Sequence, residues 1–222
     1  MTNENTASLE EVFYYIQDVY KQCQSIAKDT ADGLRKETQC YFEHKKEWDF
    51  SRRPGEHFLS RDFFATSKVW LTYVPVGNLS LATLLYFQFF HSKLDIQPAM
   101  MYGSLAPLGI GNFEDIDRHA SYRMIRYTEE GWEDFDYKID GKITKVTSTK
   151  EKHFPEAHLV RVPLESIRGT DDLNRIVIKP LSELVKGNIE KTRELLDNID
   201  TIEWPILHDV SFEEDEEEIE QA

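Results

Sequence analysis

Arg52, Arg53, His57 and Arg61 make the stretch 52–61 the densest basic patch of the chain, with Glu56 inside it and Asp62 at its end. Guanidinium groups offer forked donors that match a carboxylate or phosphate in two places at once. A histidine among them adds a proton donor that titrates near neutral pH. The same residues also read as a solvated loop whose arginines pair with Glu56 and Asp62. A second basic cluster, 118–126, holds Arg118, His119, Arg123 and Arg126. It follows Gly109-Ile110-Gly111-Asn112, but Glu114 stands where G-x-G-x-x-G needs its third glycine, so the dinucleotide fingerprint is not met. Asp115, Asp117 and His119 alternate in a way that could offer metal ligands; a charged loop leading into a strand is the plainer reading, and no metal is expected. Brought together by the fold, the two basic clusters would hold an anionic ligand, which is the reading for an enzyme or small-molecule binder.

The other candidates are weaker. Asp136-x-Lys138, with Asp117 upstream, has the residue types of a nuclease magnesium site. A chain with 41 acidic residues produces such triplets by chance. His153 and His158 flank Glu156, but the spacing is not H-E-x-x-H and Pro155 opposes a helix holding both histidines on one face. Neither a G-x-S-x-G elbow nor a Walker sequence is present. Cys23 and Cys40 belong to no C-x-x-C pair, so they read as free thiols and not as a zinc site. Trp132, Phe135 and Tyr137 sit among Glu129, Glu130, Glu133, Asp134 and Asp136. Aromatics interleaved with acids make a partner-binding edge, or simply a hairpin with one face packed inward.

Charge and composition bound the partners. The chain has 222 residues, 26 Lys and Arg against 41 Asp and Glu, and a formal net charge of −15. Glu213–Glu220 alone carries seven uncompensated acids. Such a surface repels phosphate backbones, so nucleic acid is not expected as a partner. Hydrophobic residues make up 40% of the chain and aromatics 12%, enough for a core. The N-terminus lacks the basic and apolar regions of a secretory signal, and the longest apolar run, Leu79 to Phe90, is too short to span a bilayer. A cytoplasmic protein without a cofactor or a membrane partner is expected.

The elements that position these residues give an α+β fold. Ser8 and Glu11 have capping-box spacing. Leu9, Val12, Phe13, Ile16, Val19, Tyr20, Cys23, Ala27 and Leu34 then fall on one face of a long N-terminal helical arm, about 8–42, with Tyr41 on the same face if the helix runs on. Gly33 marks a break, or part of the arm projects onto a partner. After a loop from Lys45 to Arg61, strands follow at Phe64–Val76 and Leu79–Phe90 about a Gly77-Asn78 turn, then at Ala99–Leu105, Tyr122–Thr128 and His158–Pro163. A further hairpin, Phe135–Ile139 with Lys142–Thr147 about Asp140-Gly141, sets Asp136 opposite Lys145 and Tyr137 opposite Thr144, and lies at an edge of the sheet. Both strands about Gly77-Asn78 are largely apolar on their two faces, which predicts a central hairpin covered on both sides.

Ile176-Val177-Ile178 reads as a short strand, Leu181–Lys186 as a helix between Pro180 and Gly187, and Asn188 as the cap of a helix through Ile199. The expected whole is one domain over 1–210: a long helix on an antiparallel sheet of five to seven strands, with short C-terminal helices and a disordered acidic tail, 211–222. Without a catalytic constellation, the expected role is a non-enzymatic interaction or regulatory protein. It would bind another protein, or a second copy of itself, through the arm and its acidic surface.

Overall fold

The computed structural model describes residues 9–45, 68–76, 78–88, 98–106, 135–148 and 156–202. Helix α1 runs unbroken over Leu9–Thr38, about 45 Å at 1.5 Å per residue. The break expected at Gly33 does not occur. Gly33 is there because the helix must come close to its neighbour: a Cβ at this position would lie 2.4 Å from Cδ1 and 2.9 Å from Cγ2 of Ile178. The arm ends at Thr38, not near residue 42. Gln39 takes a left-handed conformation, φ 54°, the cap conformation that turns a helix off. Tyr41 then begins a strand.

Among the described residues seven strands form one antiparallel sheet: β1 Tyr41–Lys45, β2 Lys68–Val76, β3 Ala82–Gln88, β4 Ala99–Leu105, β5 Phe135–Asp140, β6 Ile143–Ser148 and β7 Glu156–Pro163. Their order is β1-β2-β3-β4-β7-β6-β5, so the described sheet ends at β1 and β5. The α+β architecture expected from the pattern is the one observed. Every residue from Ala82 to Phe87 is buried, in keeping with a central strand apolar on both faces. The strand expected over Tyr122–Thr128, the loop from residue 46 to 61 and the acidic tail lie outside the described residues.

Two registers differ from expectation. A two-residue turn at Gly77-Asn78 would set Tyr73 opposite Ala82; Tyr73 faces Thr83 instead, a slip of one residue. The β2–β3 ladder stops there, two residues before Pro75, which has no N–H to give. Pro75 and Val76 instead stay beside β1, opposite Phe42 and Tyr41. The second hairpin turns on Gly141-Lys142, so Asp136 faces Thr147, Tyr137 faces Val146, and Lys138 faces Lys145. Of the two loop residues only Gly141 has positive φ, 62°, the pattern of a turn with glycine first. Tertiary anchors explain this choice. Lys142 Nζ donates to the carbonyls of Leu196 (2.8 Å), Asp197 (2.9 Å) and Ile199 (2.7 Å). Asp140 is paired with Arg193.

After β7 and a 3-10 turn at Leu164–Ser166, a continuous helix, α2, starts at Thr170–Asp172, widens into a π-helical stretch at Leu173–Ile178 and ends as Lys179–Val185. The expected strand Ile176-Val177-Ile178 is thus part of a helix, each residue buried. Helix α3 covers Ile189–Leu196. Asn188 precedes it without a side-chain cap; its amide donates to Glu183 Oε2 at 2.8 Å instead. All three helices pack on one sheet face, where Cys23, Ala27, Leu34, Leu181, Leu184 and Leu196 meet Leu85, Phe87, Met100, Tyr102, Val160 and Val162.

Candidate functional site

Beyond the apolar part of that face the ladder sets a row of polar residues side by side. Thr83 is opposite Ser104, Ser104 opposite His158, His158 opposite Lys145, and Lys145 opposite Lys138. Paired residues project from the same face of a sheet, so five strands contribute to one line. Glu156, two residues before His158, joins it. Its carboxylate lies 2.5 Å from Lys145 Nζ and 3.4 Å from His158 Nε2. Burial pushes the His158 imidazole below its ordinary pKa. Glu156 opposes that shift, and the Lys145 and Arg193 charges add to it. The imidazole is therefore neutral at pH 7, with one nitrogen available as acceptor. Thr83 is wholly buried, and its Oγ1 has no hydrogen-bond partner among the described residues.

A hydroxyl, a neutral imidazole and a carboxylate are the groups of a proton relay. Here they are not connected as one. No hydrogen bond joins Ser104 to His158 among the described residues, and Ser104 is only 2% exposed, so a substrate has no access to its oxygen. The row therefore has the residue types of a site without its connections or access. Among the described residues no cluster of His, Cys, Asp and Glu could hold a metal ion. The Cys23 thiol, buried in the core, is pushed up to about 12 by loss of solvent, so it is no nucleophile near pH 7.

A cleft of about 360 Å³ lies between α1 and the start of α2, with Ile26, Ile167 and Leu173 as apolar lining and Lys21, Asp29 and Arg168 as charged lining. Its two signs of charge do not select a ligand. At the α2–α3 junction, burial raises the Glu183 carboxyl, but donors from Asn188 and Lys186 outweigh it and hold the group below the usual range. That cluster ties the two helices together.

Of the residues singled out from the sequence, Arg52, Arg53, His57, Arg61, Arg118, His119, Arg123 and Trp132 lie outside the described residues, so nothing brings the two basic clusters together or apart. Phe135 and Tyr137 lie on β5, the end strand. The Thr83–Ser104–His158–Lys145 row escaped sequence reading because its members come from four separate strands. Only Glu156 and His158, with strand alternation, were available as a signal. No helix of the described residues is long and apolar enough to cross a membrane. Compared with protein-family models, curated proteins and solved structures, the chain matches none.

Proposed function

We propose that this is a non-enzymatic interaction or regulatory protein whose N-terminal helix α1 receives an amphipathic helix of a partner. One observation carries the reading. Helix α1 runs unbroken from Leu9 to Thr38, about 45 Å at 1.5 Å per residue. The heptad columns that place Cys23, Ile26 and Ala27 against the core carry Ile16, Val19 and Tyr20 one heptad earlier, and Leu9, Val12 and Phe13 one heptad before that. An apolar stripe kept up over so long a helix suits the helix-in-groove mode of recognition.

The flanks of this stretch are Glu10, Glu11 and Asp18, with Lys21 as the single nearby cation. The favoured partner is therefore an apolar-striped helix with Lys and Arg flanks. Fluorescence anisotropy with a designed peptide of that kind tests it, beside a twin carrying Glu flanks. The basic peptide is expected to bind more weakly as salt rises, and Ile16→Asp is expected to weaken it by about tenfold or more. No binding, or binding that Ile16→Asp leaves unchanged, would end this reading. Self-association abolished by the same variant would replace the foreign helix with a second copy.

A further inference from the structure

We propose that the last turn of α3 is a receptor for a primary ammonium group, preformed by the chain and filled from within by Lys142. The proposal is independent of the α1 reading. Three main-chain carbonyls converge there. Those of Leu196, Asp197 and Ile199 lie 2.8, 2.9 and 2.7 Å from Lys142 Nζ, the ordinary length of an N–H···O bond. An ammonium has three N–H donors and no acceptor, so its whole donor set is used. The end of a helix favours such a group twice over. Its last carbonyls have no partner within the helix, and the helix dipole places partial negative charge on them.

The receptor keeps its shape by means other than Lys142. Ile199 donates its N–H to the carbonyl of Leu196 at 2.9 Å, which closes the turn that brings the third carbonyl round to the other two. The side chains at both ends of that turn are in the core, Leu196 wholly buried and Ile199 4% exposed. Both belong to the cluster that includes Ile143, the residue after Lys142. Apolar packing thus sets the turn beside the hairpin, and the ammonium enters a site whose oxygens are already placed. A guanidinium spreads its donors over a planar fork, whereas these carbonyls meet at one point. The neighbouring Arg193 accordingly takes carboxylates, those of Asp140 and Glu190. A purely electrostatic role for Lys142 at a helix end predicts instead that every added cation acts alike.

Thermal melts of full-chain Lys142→Ala, which removes the ammonium and leaves room where its stem ran, separate the two accounts. The variant is expected to melt about 5 °C or more below the wild type. Methylammonium and ethylammonium chlorides are expected to restore most of that loss, the gain rising with the logarithm of concentration. Sodium and tetramethylammonium chlorides at matched concentration carry the charge without N–H donors and are expected to restore little. Lys142→Met keeps a stem in place without the ammonium; it is expected to melt as low and to gain nothing from the amines beyond the sodium baseline. Arg193→Ala, which removes the neighbouring cation, is expected to gain nothing beyond that baseline either. Lys142→Ala melting like the wild type overturns the proposal. So does tetramethylammonium acting as well as methylammonium, or an equal rescue of Lys142→Met. If Lys142→Ala does not fold in plain buffer, folding in methylammonium but not in tetramethylammonium supports the receptor, and failure in both overturns it.

Discussion

Tyr102 donates its buried hydroxyl to the main-chain carbonyl of Ile176 at 2.6 Å. Four residues beyond Ile176 stands Pro180, which has no N–H to return to that carbonyl and whose ring crowds it in a regular α-helix. The π-helical widening at Leu173–Ile178 ends two positions before the proline, and such widenings are a recognised response to a disturbed helical ladder. A strand side chain thus completes the hydrogen bonding of a helix. Burial holds the Tyr102 phenol far above its ordinary range, so the group remains a donor at any physiological pH.

Tyr102→Phe is expected to cost about 1–3 kcal/mol, the range for stranding a buried acceptor. Pro180→Ala supplies a new N–H to the same carbonyl. The two changes should therefore couple: in chemical denaturation, the loss caused by Tyr102→Phe should be smaller in the Pro180→Ala background. Strict additivity would show that the hydroxyl and the proline do not share Ile176.

Gly33→Ala raises helix propensity by about 1 kcal/mol in isolation. It should nevertheless destabilise this protein by about 1–3 kcal/mol, the usual cost of overpacking a core. The added methyl would come within 3.0 Å of three atoms of Ile178, a side chain only 4% exposed. Ile178→Val removes one of those atoms, Cδ1, and should recover part of the loss. Thermal melts of the two single variants and the double decide it. A stabilised Gly33→Ala would mean that α1 and α2 do not approach as closely as the structure has them.

Gly33 also shows where sequence reading stops. Its low helix propensity is visible in the sequence; the side chain it must admit lies 145 residues further on, at Ile178. The same division holds elsewhere. Alternation and β-branched runs located β3, β4 and the β5–β6 hairpin, because each is decided within its own segment. The β5–β6 register was decided from outside: Arg193 holds Asp140, and Lys142 binds three carbonyls at the end of α3. Ile176-Val177-Ile178 has strand composition but sits between Asp172 and Pro180 in a helix whose buried side is set by α1 and Tyr102. The polar row depends wholly on strand order, which places β7 between β4 and β6 and so carries His158 from the far side of the β5–β6 hairpin to Ser104.

His158 gives the fold a calculable response to acid. Its folded pKa is lowered, first by burial, then by the Lys145 and Arg193 charges, against the opposing pull of Glu156. Above about pH 6.5, the ordinary histidine value, the group is neutral in both folded and unfolded chains and contributes no pH dependence. As pH falls through that value the unfolded chain takes up a proton that the folded chain resists, so stability declines. The decline levels off once pH passes below the folded pKa, where both states are protonated. One such group gives a slope of at most about 1.4 kcal/mol per pH unit. His158→Gln keeps a polar side chain that does not titrate. The difference in stability between wild type and this variant should be flat from pH 8 to about pH 7 and should move in favour of the variant as pH falls further. Denaturation midpoints collected across that range measure it. Parallel curves for the two proteins would show that His158 titrates alike in both states, and that Glu156 offsets the burial completely.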